Sequence, residues 1–290
     1  SSRPQTPGLG RPCCARGAAL AFAWSYEFVD QVIGMNVANS LLGHDAKQTA
    51  LVGSLAGAVF AVVSGLAGTL TACNVALFGA LPNVTAYTTD WRSRLAGVLR
   101  ALGLLGAGLM AVAAVYGALA VMLGMRLPQL STAVTANDVP VRLIQSIVVF
   151  GLIGLAFGYL GLAALGLVPD PFASRPRLRL IVMGALIGGF IVGRPYPLFF
   201  KLLNFAVESG NPFYGALTMM LQALGTIVAF AVLALLLTFA LGRWLADPRR
   251  AAQISGVALL LLGTFLVLYW DVRLPAMFGY GWFPTAPWNG

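Results

Sequence analysis

The sequence predicts an all-α polytopic membrane protein. Six core transmembrane helices are expected in two inverted three-helix repeats, behind an N-terminal amphipathic or seventh helix. Three observations carry this expectation. Hydrophobic residues make up 59% of the 290 and charged residues only 9%, against about a quarter charged in an ordinary soluble domain. The apolar runs are long and continuous, whereas a membrane β-barrel shows alternating segments of about ten residues. Two runs are also interrupted at comparable points, the first around Cys73 and Pro82 and the fourth at Gly193-Arg194-Pro195-Tyr196-Pro197. Paired interruptions of this kind mark a site built at mid-depth between two halves.

The formal net charge is +9, yet it does not point to nucleic acid. The basic residues are scattered through short inter-helix loops and the aromatics lie in apolar runs, so membrane topology and contact with anionic lipid explain the basicity.

Taken in order, residues 1–17 (SSRPQTPGLGRPCCARG) form a basic, flexible arm that cannot build a core. Its adjacent Cys13 and Cys14 read as a reduced pair or as an acylation site near the membrane. Residues 18–43 are long enough to span but contain Glu27, Asp30, Gln31, Asn36 and Asn39, which are costly in lipid unless buried in protein. Trp24, Phe28, Val32 and Met35 recur at helical spacing, which suits an interfacial helix or a seventh span. A cleaved signal peptide fits poorly, because acidic residues follow the short apolar stretch at once. The six core spans are 49–81, 95–125, 142–168, 180–206, 213–241 and 251–270, which divide into halves 49–168 and 180–270. An aromatic, Pro/Gly-rich tail, residues 271–290, follows them. Interfacial anchoring by Trp and Tyr is its ordinary role, and docking of a partner its alternative. Gly and Ala recur inside nearly every span, as close helix approach in lipid requires.

Arginines fall in alternate loops. One set comprises Arg92, Arg94, Arg100, Arg175, Arg177, Arg179, Arg243, Arg249 and Arg250, while the opposite loops hold Lys47, Arg126, Arg142 and Arg273. The positive-inside rule puts the first set in the cytoplasm and the C-terminus outside. A three-span repeat has an odd number of crossings, so consecutive copies enter from opposite sides and are inverted.

The first interruption, GLAGTLTACNVALFGALP (65–82), contains Thr69, Thr71, Cys73, Asn74 and Pro82. Cys73 reads either as a reactive thiol or as a small buried hydrophobe. In the fourth span Arg194 and Lys201 lie seven apart, which places them on one helical face. Gln222 and Glu208 are candidate partners for them. One reading is an anion or proton pathway, with backbone donors from the half-helix end at Thr71–Asn74. The other is a water-facing turn made by the prolines, with Lys201 snorkelling. The single His44 lies in a loop, GHDAK. No CxxC, zinc-ligand set, phosphate loop or dinucleotide fingerprint appears, so no cofactor or metal is implied. Asn83-Val84-Thr85 fits a glycosylation acceptor by chance, on the expected cytoplasmic side.

Over residues 50–270 the chain resembles the transmembrane thiol–disulfide carriers of cytochrome c biogenesis, CcdA and the membrane domain of DsbD. The segment GRPYPLFFKLLNFAVESGNPFYGALTMMLQALGTIVAF looks like that family's broken fourth helix, its Gly/Pro turn and its fifth helix. In that family each leading helix carries a cysteine by a proline, and the pair relays electrons from cytoplasmic thioredoxin to a partner outside. The resemblance implies a bacterial-type inner membrane and a thioredoxin-like or outside thiol–disulfide partner. It assigns Cys73 to the first family cysteine and Tyr196, between Pro195 and Pro197, to the second. Tyrosine forms no disulfide, and Ala72 stands where the family has a proline. The implied function is therefore transmembrane electron transfer through a single-cysteine site. The alternatives are a non-redox accessory subunit of a larger membrane complex, or a secondary transporter of a small solute or anion around Arg194.

Overall fold

The computed structural model describes residues 10–25, 27–69, 91–136, 138–194, 196–241, 247–284 and 286. Among these the protein is helical, with one isolated bridge between Val134 and Pro140. Helices are what lipid demands, because every backbone polar group must find its partner within the chain. They are α1 (Gly10–Ala23), α2 (Met35–Leu42), α3 (Ser54–Gly68), α4 (Trp91–Leu123), α5 (Val141–Ala164), α6 (Pro176–Gly189), α7 (Pro197–Glu208), α8 (Pro212–Leu241), α9 (Pro248–Val267) and α10 (Leu274–Met277). Among the described residues, four continuous helical stretches are long and apolar enough to cross a membrane: Leu95–Arg126, Val141–Ala164, Pro212–Leu236 and Arg249–Met277. They correspond to the second, third, fifth and sixth expected spans. The fourth is split into α6 and α7 at the expected interruption. Only α3 is described from the first.

The N-terminal region departs from expectation. Helix α1 begins at Gly10, inside the stretch read as a flexible arm, and the expected helix 18–43 is divided. Its parts have different partners. Helix α1 lies along α9, where a Cβ on Gly17 would sit 2.8 Å from Thr264 and Trp24 packs edge-on to Phe265. The π-helical segment Glu27–Gly34 and α2 pack on α3 instead. Packing decides helix stability more than propensity does, so a segment serving two partners breaks between them. The last span also runs past its expected end. A π-helical turn, Leu268–Arg273, carries Asp271 and Arg273 into the bundle, and Arg273 is 4% exposed.

Glycine sets the helix spacing. Helices α3 and α8 run parallel, since Gly57 meets Tyr214 while Gly65 meets Gln222 and Thr226. A Cβ at Gly65 would overlap the Gln222 carbonyl, and one at Gly225 the Val62 carbonyl. Helices α4 and α6 repeat the arrangement, also in parallel: Gly184 lies on the Leu105 carbonyl and Gly188 on that of Leu109. Helices α4 and α8 are antiparallel, with Gly117 on Gly215 and Gly106 on Ile227. Helices α5 and α9 are antiparallel too, through Gly154 on Gly263 and Gly161 on Gly256. These small-residue crossings supply van der Waals contact where lipid gives no hydrophobic drive. Phe60, Phe157, Phe199, Phe230 and Tyr196 fill the core between them.

Candidate functional site

The site is the break between α6 and α7. Helix α6 ends at Gly189, and a turn through Phe190–Gly193 follows. Gly193 has φ +95°, which a side chain would strain, and a Cβ there would press on Ser146 Cα at 3.1 Å. Tyr196 is extended, as the residue before a proline prefers, and Pro197 opens α7 at a position that needs no N–H.

Breaking a helix inside a membrane frees backbone groups that must be satisfied by protein. Two other elements do so directly and a third supports them. The Gln129 side chain, from the loop after α4, accepts from Gly193 N at 3.3 Å and donates to the Arg194 carbonyl at 3.2 Å. Ser146 of α5 donates to the Gly193 carbonyl, and Tyr116 of α4 donates to Gln129. Gln129 is 1% exposed and Ser146 2%, so the break is a buried polar node rather than a water-facing turn.

Arg194 joins this node to the first half of the chain. Its Nη2 donates to the Gly68 carbonyl at 2.8 Å, and its guanidinium lies 4.9 Å from the centroid of the Tyr196 ring. Gly68 is the last residue of α3. A helix C-terminus carries unpaired carbonyls and a partial negative charge, so a cation is favoured there. A Cβ on Gly68 would lie 3.0 Å from Arg194 Nη1, so the glycine makes room for the guanidinium.

Two further cations also bond backbone carbonyls. Lys201 is half-buried. Its Nζ donates to the carbonyls of Ala46 at 2.6 Å, Lys47 at 3.4 Å and Thr49, just beyond α2, and lies 5.1 Å from the centroid of the Phe60 ring. Arg273 donates through Nη1 to the carbonyls of Ala21 at 2.6 Å and Trp24 at 2.9 Å, at the end of α1. Arg194 precedes α7 rather than lying within it, so it and Lys201 close two different carbonyl ends instead of sharing one helical face.

Other expected participants are distributed as follows. Thr71, Cys73, Asn74 and Pro82 lie outside the described residues, as does Pro195. The end of α3 that leads to them presents carbonyls. Thr69 is buried and donates back to Gly65 O at 2.6 Å. Gln222 is 4% exposed and sits where α3 and α8 cross, and its Oε1 has no hydrogen-bond partner among the described residues. The Oγ of Ser64 is in the same condition. Glu208 is exposed at the end of α7. Cys14 is exposed on α1, 3.8 Å from Thr264 Oγ1, and His44 is exposed in its loop. No cluster of three His, Cys, Asp or Glu residues that could hold a metal exists among the described residues.

Sequence reasoning missed Tyr116, Gln129, Ser146 and the pair Asp271 and Arg273. Gln129 sits in an ordinary-looking loop, and nothing in its neighbours marks it as the residue that satisfies a break in another span. Arg273 carried a signal, being only three residues past the last span, but loop placement hid it. Comparison of the chain with protein-family models, with curated proteins and with solved structures finds no match in any of the three.

Proposed function

We propose that this chain is a membrane thiol–disulfide carrier of the CcdA and DsbD type, built as two inverted three-helix halves with Cys73 as the exchanging thiol. The observation that carries this reading is the hydrogen bond from Arg194 to Gly68. It ties Arg194, two residues before Tyr196, to the end of α3, which Cys73 follows five residues later in the sequence. The helix contacts support the inverted repeat. Exchanging first with fourth span, second with fifth and third with sixth maps the α3–α8 crossing onto α6–α4. The same exchange returns α4–α8 and α5–α9 to themselves. A bacterial-type inner membrane with the C-terminus outside accompanies this reading through the arginine distribution.

With tyrosine in place of the second cysteine, both partners must supply sulfur. The Cys73 thiolate attacks the disulfide of an acceptor protein, forming a mixed disulfide and releasing the acceptor's other sulfur as a thiolate. A thiolate of a thioredoxin-like dithiol donor then attacks the Cys73 sulfur and frees the reduced acceptor. The donor's second thiolate closes the donor disulfide and returns Cys73 as a thiolate. Two electrons pass from donor to acceptor, and Cys73 is unchanged over the cycle.

Thiol trapping of Cys73 in intact membranes tests this, by maleimide shift with and without prior reduction. A thiol that is blocked by oxidation, or caught as a mixed disulfide, supports the carrier. A thiol that labels only after denaturation removes it. A second reading, a non-redox accessory subunit, is favoured by the complete burial of Tyr196 and by the commitment of Lys201 to loop carbonyls and of Arg273 to the end of α1. Migration of the purified protein as a lone monomer in mild detergent counts against that reading.

A further inference from the structure

Helix α1 runs parallel to α9, with Gly17 on Leu261 and Thr264 and the carbonyls of Ala21 and Trp24 held by Arg273. Leu261 and Thr264 lie midway along the membrane-crossing stretch Arg249–Met277. Arg16, next to Gly17, therefore stands near the middle of the hydrocarbon layer. It is exposed, with no hydrogen-bond or ion-pair partner among the described residues. An arginine at the bilayer centre is costly and as a rule faces protein, water or a counter-charge. The nearest interface is about 15 Å away, half the hydrocarbon thickness, which is further than an arginine side chain reaches by snorkelling.

The rest of that face is also unlike one that meets lipid. Helix α5 turns bulky apolar side chains outward, with Val148, Leu152 and Leu155 each more than half exposed. Helix α1 instead presents Ala15, Arg16, Ala19 and Ala23, all exposed. The three alanines are four residues apart and form one row, an arrangement that lets a second helix approach closely. At the C-terminal end of the row a cavity of about 520 Å³ opens between Leu20, Ala23, Trp24, Ser25, Phe28 and Val29. It has room for a bulky side chain of such a helix.

Charge decides the occupant. Two copies of this chain joined through α1 about a two-fold axis would set Arg16 against Arg16, and like charges repel. A copy docked in another orientation would have to offer a carboxylate at mid-depth. Among the described residues of the four crossing stretches Asp271 is the one acid, and it is turned to α5, where both its oxygens lie 2.6 Å from a Cβ built on Gly151. We propose that the Ala15–Ala23 face of α1 receives a membrane-spanning helix of a different protein, one that carries an aspartate or glutamate at mid-depth to pair with Arg16. The inference goes beyond the thiol chemistry and does not depend on Cys73.

The test uses the full chain in phosphatidylcholine vesicles and synthetic single-span helices of leucine and alanine with Glu, Gln or Lys at the centre. A fluorescent donor sits on Ser174→Cys, with Cys13, Cys14 and Cys73 replaced by serine, and each synthetic helix carries an acceptor. Energy transfer then reads association. The parent should bind the Glu helix about tenfold more tightly than the Gln helix, the order that an interhelical polar contact supplies in lipid. Arg16→Ala should abolish that preference, and Arg16→Glu should transfer it to the Lys helix. Ala19→Leu, which fills the row and keeps the charge, should weaken binding of the Glu helix. Equal binding of the Glu and Gln helices by the parent overturns the proposal, as does a preference that survives Arg16→Ala. A preference unaffected by Ala19→Leu overturns docking on this face. Loss of the preference when phosphatidylglycerol is added assigns Arg16 to a lipid phosphate and also overturns it. Trapping of Cys73 and this titration fail independently of each other.

Discussion

Arg194 Nη2 bonds the Gly68 carbonyl at 2.8 Å, so the turn between α6 and α7 caps the C-terminal end of α3. One guanidinium closes a helix-end carbonyl and ties α3 to the break that precedes α7. It also lies 4.9 Å from the centroid of the Tyr196 ring, so one cation both caps a carbonyl and makes a cation–π contact.

Arg194→Ala should therefore lower stability in detergent by about 2 kcal/mol, the range for a hydrogen bond to a charged group. Arg194→Lys should recover only part of that, because an ammonium lacks the guanidinium's reach and forked donors. Thermal or denaturant unfolding of the purified protein measures both. Equal stability of the lysine variant and the parent would show that the fork contributes nothing. The same Arg194→Ala variant reconstituted in proteoliposomes tests the transporter alternative, which unchanged solute flux would remove.

The helix crossings make a graded prediction about glycine. Gly65→Ala and Gly184→Ala place a methyl group into the backbone carbonyls of Gln222 and Leu105, and overpacking of this kind costs about 1–3 kcal/mol. Gly103→Ala, in the same helix as Gly108 but with open space around it, should be neutral or stabilising by up to about 1 kcal/mol. Unfolding midpoints of the three variants, compared with the parent, check the order.

Gln129→Leu removes the side chain that satisfies both Gly193 N and the Arg194 carbonyl. Each buried backbone group left unpaired costs about 1–3 kcal/mol, so this loop substitution should rank with core substitutions. Hydrogen exchange at Gly193 and Arg194 should accelerate with it. An unchanged exchange rate there would mean that Ser146 alone holds the turn.

Arg273→Met should free α1 without unfolding the rest. The guanidinium holds the carbonyls of Ala21 and Trp24, while the crossings of α5 with α9 do not involve it. Limited proteolysis is expected to cut within residues 10–25 in the variant and to leave the parent intact. Cleavage elsewhere, or none, would show that α1 is held by its packing on α9.

Composition and periodicity determined that this is a helical membrane protein, where its apolar segments lie, and that the fourth is broken at Gly193–Pro197. Those features follow from local chemistry: apolar length, proline and glycine. The partners of the break were not legible. Gln129, Ser146 and Tyr116 come from separate segments, and a buried hydrogen bond leaves no periodic trace in any of them. Arg194 and Lys201 were visible as charges in apolar sequence, which raised a pathway as one reading. Only the tertiary structure turned their cationic groups to the end of α3 and to the loop after α2, because an unpaired carbonyl in a bundle attracts whichever cation the packing brings near. The boundary near residue 17 shifted for a related reason. A short polar-flanked segment has no stable helix of its own, and contact with α9 supplied one.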